Sequence, residues 1–189
     1  MLIHWRRLPH IHNEGHPIFE TWRLRGSVPV CKRDAVLKSD PRPGHRFVAE
    51  DRDLDRTTTG PRWLGDVRIA LIMAEAIHAG ATDRRYYELH AWVIMPNHVH
   101  LLITPRVPLP SVTRWLKAST AHKANRILGR TGQPSWRAES FDRWIRDTAE
   151  FNRITRCIEH NPVSAGFTDS VERWRWSSGY RAGASAYPT

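Results

Sequence analysis

The residues best placed for chemistry are His98-Val99-His100. Side chains of an extended strand alternate between faces, so His98 and His100 project to one side, with Leu102 and Thr104 continuing that side. Two imidazoles on one sheet face make half of a metal site. The same pattern also describes two solvent-facing histidines on an exposed strand. His10-Ile11-His12 repeats the spacing in a segment flanked by Pro9 and Gly15, and reads as incidental. An HxH pair also opens the metal site of barrel amidohydrolases, but such a barrel needs roughly 250 residues. The chain has 189.

The elements around the pair are legible from periodicity. Residues 86–95 are rich in aromatic and β-branched types, Pro96-Asn97 follows, and a second extended run covers 98–105, so the two histidines open the second strand of a hairpin. Segment 18–25 alternates as an earlier strand. Ile69, Ile72, Met73, Ala76 and Ile77 recur at helical spacing in a helix over 66–78, with Gly80 as its stop. Ser111 can cap a helix to about Leu128, with Val112, Trp115, Leu116 and Ile127 inward. A strand over 141–146 precedes a helix capped by Asp147 and running to about His160, beyond which Pro162 cannot continue it and Gly166 follows. The order β-α-β-β-α-β-α implies an α+β fold, with a central, mainly antiparallel sheet and helices packed on it. Residues 38–62, rich in Pro, Gly, Thr and charge, read as a loop or insertion. No internal repeat is visible, and 1–189 reads as a single domain.

Composition narrows the function classes. With 40% apolar and 25% charged residues the chain can build a core. No apolar stretch is long enough to span a bilayer, and the start MLIHWRRLPH is no signal peptide, which points to a cytoplasmic protein without a membrane partner. Cys31 and Cys157 are too few for a disulfide framework or a cysteine-based zinc site. Lys+Arg 29 against Asp+Glu 19 gives a net charge of +10, and 25 of those cations are arginines, accompanied by nine tryptophans. Arginine suits bidentate phosphate contacts and tryptophan offers a stacking platform, although a high-GC genome would also favour arginine codons. No acidic residue lies between Glu88 and Glu139, whereas Arg106, Arg114, Lys117, Lys123, Arg126, Arg130 and Arg137 do. A surface facing phosphates requires such a gap. Arg114, Lys117, Lys123 and Arg126 of the middle helix are candidate DNA-phosphate contacts, or an ordinary solvated helix face. Trp174 and Trp176 either pack on the sheet or hold a base between arginines.

The run HAWVIMPNHVHLLITP, the amphipathic helix after it, ESFDRWIRD, CIEHNPVSAGF and WRWSS together resemble the REP-associated tyrosine transposases, single-tyrosine members of the HUH (His-hydrophobic-His) nucleases. The opening RRLPH and the strand IFETWRLRGS are similar too, so the resemblance spans nearly the whole chain except 38–62. It implies an HUH, ferredoxin-like transposase fold and the nicking and rejoining of single-stranded or hairpin DNA in DNA transposition. It implies a divalent ion, Mg2+ or Mn2+, held by His98 and His100 with Asn161 as third ligand, and no small-molecule cofactor. A helix-borne tyrosine in such proteins attacks the scissile phosphate and leaves a 5′-phosphotyrosine link. The N-terminal segment that helps to recognise a single-stranded tetranucleotide maps onto Arg6, Arg7 and His10. By the same resemblance the protein acts as a monomer or a homodimer.

One position departs from the pattern. The tyrosine expected four residues before Asn161 is Cys157. Arg153 (a further candidate DNA contact), Cys157 and Asn161 follow at helical spacing, while Phe151, Ile154 and Ile158 mark the buried side of that helix. Tyr86, Tyr87, Tyr180 and Tyr187 lie outside it. Three readings follow: a catalytically inactive, domesticated DNA-binding descendant; attack by the Cys157 thiolate; or a nucleophile supplied by Tyr86 or Tyr87. An RNA-binding module is a further alternative, and would leave the HxH pair unexplained.

Overall fold

Strands of period two and helices with one apolar stripe combine here into two packed faces on one sheet. In the computed structural model, which describes residues 2–5, 9–12, 15–27 and 60–183, β1 (Leu2–Trp5) and β2 (Pro9–His12) pair antiparallel in a two-stranded sheet. A second sheet contains β3 (Ile18–Arg23), β4 (Tyr87–Ile94), β5 (His98–Pro105) and β6 (Phe141–Trp144) in the order β4-β5-β3-β6, antiparallel throughout. The helices are α1 (Val67–Thr82), α2 (Leu109–Ile127) and α3 (Thr148–Ser164). This is the α+β architecture that the periodicities imply. The stretch 38–62 lies outside the described residues as far as position 59.

Alternation along the strands sorts the core in two. Ile18 and Trp22 of β3, Trp92 and Ile94 of β4, and Val99, Leu101 and Ile103 of β5 pack with Ile69, Met73 and Ile77 of α1 and Val112 and Leu116 of α2. On the opposite face Phe19, Ala91, Val93 and Leu102 pack with Ile158 of α3. A bulge between Leu89 and Ala91 makes the switch in β4: Tyr87 and Leu89 belong to the first cluster, Ala91 and Val93 to the second. The outer edge of β4 is covered, since Ile94 N donates to Trp176 O and Ser178 N to Trp92 O, both bridging distances under the ordinary limit at 2.8 and 2.9 Å.

Element ends differ from expectation for identifiable reasons. Gly80 does not stop α1, which continues to Thr82. A Cβ at Gly80 would lie 2.3 Å from the Tyr87 hydroxyl, so this glycine admits the tyrosine rather than ending the helix. α2 begins at Leu109 with Pro108 as its N-cap and Pro110 in its first turn, and Ser111 is not its cap. Pro162 lies inside α3, which runs on to Ser164; in the last turn a proline removes a single bond from a helix already ending. β6 ends at Trp144, because Ile145 N turns to Pro17 O and Arg146 N to the Glu150 carboxylate. The segment around His10-Ile11-His12 is a paired strand, which its flanking proline and glycine do not suggest.

Candidate functional site

The β4–β5 turn sets the first histidine in place. Met95 N donates to His98 O, and the turn is tied to its surroundings by Leu24 N to Asn97 O and Leu64 N to Pro96 O, at 2.9 and 3.1 Å. From there β5 points His98 and His100 to the α3 side, beside Phe19, Thr21 and Arg23 of the neighbouring β3. The two histidines do not face solvent: they are 0% and 1% exposed. Their Nε2 atoms stand 3.0 Å apart. Each Nδ1 has a polar partner at 2.7 Å, Asn97 Oδ1 for His98 and Thr21 Oγ1 for His100. The Phe19 ring stacks on His100 at 5.4 Å.

Those partners fix the chemistry of the rings. An amide oxygen can only accept, so the His98 proton sits on Nδ1 and its Nε2 carries a lone pair. The Thr21 hydroxyl can donate or accept. When it donates, His100 Nε2–H bonds to His98 Nε2 and the chain of hydrogen bonds is closed. When it accepts, both Nε2 lone pairs face one point, where a cation is needed between them. Passing from the metal-free to the metal-ready arrangement therefore takes a tautomer shift of His100, its proton leaving Nε2 for Nδ1, together with rotation of the Thr21 hydroxyl.

Asn161 arrives from the other side. Ile158 and Asn161 of α3 are buried against the sheet, and Asn161 Nδ2 lies 3.4 Å from His100 Nε2. Its Oδ1 is buried with no hydrogen-bond partner among the described residues. Turning the amide by half a rotation puts that oxygen against the imidazoles. Two imidazole nitrogens and one amide oxygen thus converge, a set able to hold a divalent cation. Cys157, one turn earlier on α3, is an exposed thiol. Among the described residues no three His, Cys, Asp or Glu side chains gather as a metal-ligating group, so the Cys157 thiol is not a third ligand beside the two histidines.

Other residues singled out by sequence fall elsewhere. Tyr87 is buried on the α1 side and its hydroxyl donates to Ile77 O at 2.6 Å; burial, then the nearby Glu20 charge, push its pKa upward. Tyr86 packs edge-on against Trp115. Neither ring lies on the histidine face. Tyr180 is exposed, and Tyr187 lies outside the described residues. Arg114, Lys123 and Arg126 are exposed on α2, across the sheet from the histidines. Lys117 is half-buried, its Nζ donating to the Arg137 and Ala138 carbonyls at 3.2 and 3.4 Å. Arg114 and Lys117 also line a cavity of about 470 Å³, but Glu139 and Asp142 share it and make it a poor seat for phosphate. Arg153 is exposed on α3. Arg6 and Arg7 lie outside the described residues, and His10 belongs to β2. Trp174 packs with Phe167 on the α3 side while Trp176 joins the opposite cluster, so the two do not share a face.

Sequence reasoning did not single out Thr21 or Asn97. Asn97 is adjacent to the pair in the chain, a signal that was present. Thr21 becomes visible only through the strand register that sets it opposite His100.

With the geometry in place, comparison with known proteins is informative. Residues 67–160 match the family described as "Transposase IS200 like". A REP-associated tyrosine transposase of Escherichia coli (strain K12) is 27% identical over 100 residues, which cover 51% of this chain and 57% of that protein. The chain thus spans little more than half of that relative's length. The solved structure of a REP-associated tyrosine transposase bound to a REP hairpin is similar in fold, with a TM-score of 0.59 at 21% identity over 92% of this chain and 81% of that one. The matched region runs from the first residue of α1 to the turn of α3 that precedes Asn161 and contains both histidines, so this part of the chain is similar to the IS200-like transposases.

Proposed function

We propose that the protein binds single-stranded or hairpin DNA and holds a divalent metal ion at His98, His100 and Asn161, as a single-domain member of the class that nicks and rejoins DNA strands in transposition. The observation that carries this reading is the approach of the two Nε2 atoms, 3.0 Å apart, with the Asn161 amide beside them and its Oδ1 orphaned, an oxygen that a half rotation would turn onto the pair. The donor set fits Mg2+ or Mn2+: borderline nitrogens and a hard oxygen, with both imidazoles braced through Nδ1. When bound, such an ion supplies Lewis-acid polarisation of a phosphate oxygen. The chain's own residues do the positioning. Asn97 and Thr21 orient the two rings, Phe19 excludes water from one side of His100, and α3 carries Asn161 in from the other.

A specific observation favours a second reading about cleavage. The position where the resemblance expects a tyrosine is Cys157, an exposed free thiol. Metal and DNA binding are then retained by a domesticated protein that no longer cuts. The test is incubation of the protein with Mn2+ and a labelled single-stranded hairpin oligonucleotide, followed by denaturing electrophoresis. The non-cleaving reading expects binding with neither product nor adduct from the natural chain, and an adduct from Cys157→Tyr. An adduct on the natural chain overturns it, and mapping the adduct to Cys157, Tyr86 or Tyr87 identifies the nucleophile. Failure to bind either DNA or Mn2+ would sink the first reading.

A further inference from the structure

At the start of α3, one buried carboxylate gathers three arginines. The Glu150 side chain is only 4% exposed, while those of Arg143, Arg146 and Arg153 are 35%, 70% and 59% exposed. Arg143 Nη2 and Arg153 Nη2 donate to Glu150 Oε1; Arg146 donates to Oε2 through both its Nε and its backbone N–H. Burial pushes the Glu150 pKa up, but the Arg146 bonds and the Arg143 charge outweigh it and hold the carboxyl below its ordinary range. The carboxylate is therefore charged at neutral pH, and it is already saturated by donors. Each guanidinium spends one side-chain N–H on it, and those of Arg146 and Arg153 are mostly exposed. The remaining acid nearby, Asp147, is occupied in capping the helix by accepting from Glu150 N at 2.7 Å.

We infer that Glu150 arranges Arg143, Arg146 and Arg153 into a seat for a backbone phosphate of the strand that leads to the histidine pair. The inference rests on the DNA-binding reading above and extends it from Arg153 to Arg143, Arg146 and the acid that gathers them. Three features support it. The guanidiniums come from β6, from the link and from α3, so an acid fixed below them turns three mobile side chains into one preorganised donor surface. Positive charge exceeds negative in the cluster even with Asp147 counted, and the α3 N-terminus adds to it. Arg143 and Arg153 also lie on the side of the sheet that carries His98 and His100. Arg153 stands eight residues before Asn161, about 12 Å along the helix axis, or three to four nucleotides at the roughly 3.4 Å stacked spacing of one strand. Glu150 is thus a positioning residue and the arginines are the contacts.

The probe is a fluorescent oligothymidine, which has no hairpin and no sequence to read, titrated at several salt concentrations. Each lost phosphate contact on single strands flattens the plot of log K against log salt by ~0.7. Arg146→Ala with Arg153→Ala is therefore expected to flatten it by up to ~0.7, measured on protein that circular dichroism shows to be folded. Glu150→Gln separates positioning from charge. It raises the net charge by one, so a purely electrostatic or helix-capping role predicts binding that is unchanged or tighter; a positioning role predicts weaker binding in a protein that circular dichroism shows to be folded. If the natural chain binds oligothymidine and the double arginine variant keeps its salt slope, the seat is overturned and the DNA-binding reading stands. If the natural chain binds neither oligothymidine nor a hairpin, both fall together.

Discussion

The two faces of the four-stranded sheet draw on the same strands and follow different rules. Toward α1 and α2, β3 and β5 present Ile18, Trp22, Val99, Leu101 and Ile103, an apolar surface closed by two helices. Toward α3, the alternate residues of those strands include Thr21, Arg23, His98 and His100, a buried polar patch flanked by Phe19 and Leu102. Burying polar groups is tolerable where they find partners, and on the α3 side each imidazole Nδ1 has one: Asn97 for His98 and Thr21 for His100. The difference teaches that period-two alternation lets one strand carry stability on one side and chemistry on the other.

The largest effect that would break this division belongs to the apolar side. Trp22 is fully buried, with its ring edge-on to Trp136 at 6.3 Å. Trp22→Ala is expected to lower stability by about 3–5 kcal/mol, measured by urea unfolding. Mn2+ affinity of the fraction that remains folded at low temperature should stay near that of the natural chain. A loss of Mn2+ affinity in folded protein would mean that the two faces are not separable.

The reciprocal change tests the polar side. Thr21→Val removes the hydroxyl that orients His100 and leaves its Nδ1 without that partner. Loss of such a brace typically lowers metal affinity about 10–100-fold, here read by Mn2+ titration under electron paramagnetic resonance, with a smaller loss of stability of about 1–3 kcal/mol. Thr21→Ser keeps the hydroxyl and should restore most of the affinity. If valine and serine behave alike, the hydroxyl does not brace the ring.

The division was partly legible in the sequence. Alternation placed His98 and His100 on one face because that signal is local and periodic, whereas helical spacing grouped Asn161 with Arg153 and Cys157, and the structure buries Asn161 with Ile158 and leaves the other two exposed. Ends were less legible: Gly80 looked like a stop because a glycine's need for space near Tyr87 cannot be read from its own segment. Thr21 was silent for the same reason, since its role depends on a register with a strand 79 positions away. Burial of the histidines was also hidden. A strand pattern gives the face but not what covers it, and α3 covers this one. The basic helix α2 carried the strongest charge signal and yet lies across the sheet from the histidines, because net charge says nothing about which face a helix takes.

One residue violates the rule on the apolar side, and it supplies the subtlest test. Glu20 of β3 points toward α2 and is fully buried; its Oε1 accepts from the Thr113 hydroxyl while Oε2 is buried with no hydrogen-bond partner among the described residues. Burial raises its pKa from 4.5 to about 7, against the lowering effects of the Thr113 bond and the Lys117 charge; Asp142 adds to the rise. The folded chain then keeps a proton that the unfolded chain has lost between those two pH values. Stability is therefore greatest below pH 4.5 as far as this group is concerned, declines as pH rises toward about 7, and is flat above it. Glu20→Gln removes the titration and keeps an amide oxygen for Thr113. The variant should match the natural chain near the acid end and exceed it by about 1–3 kcal/mol above neutrality, read as unfolding midpoints across a pH series. A variant less stable than the natural chain at alkaline pH would show that the charged form of Glu20 is held by partners stronger than Thr113 and Lys117, and that the apolar face tolerates a charge much as the histidine face does.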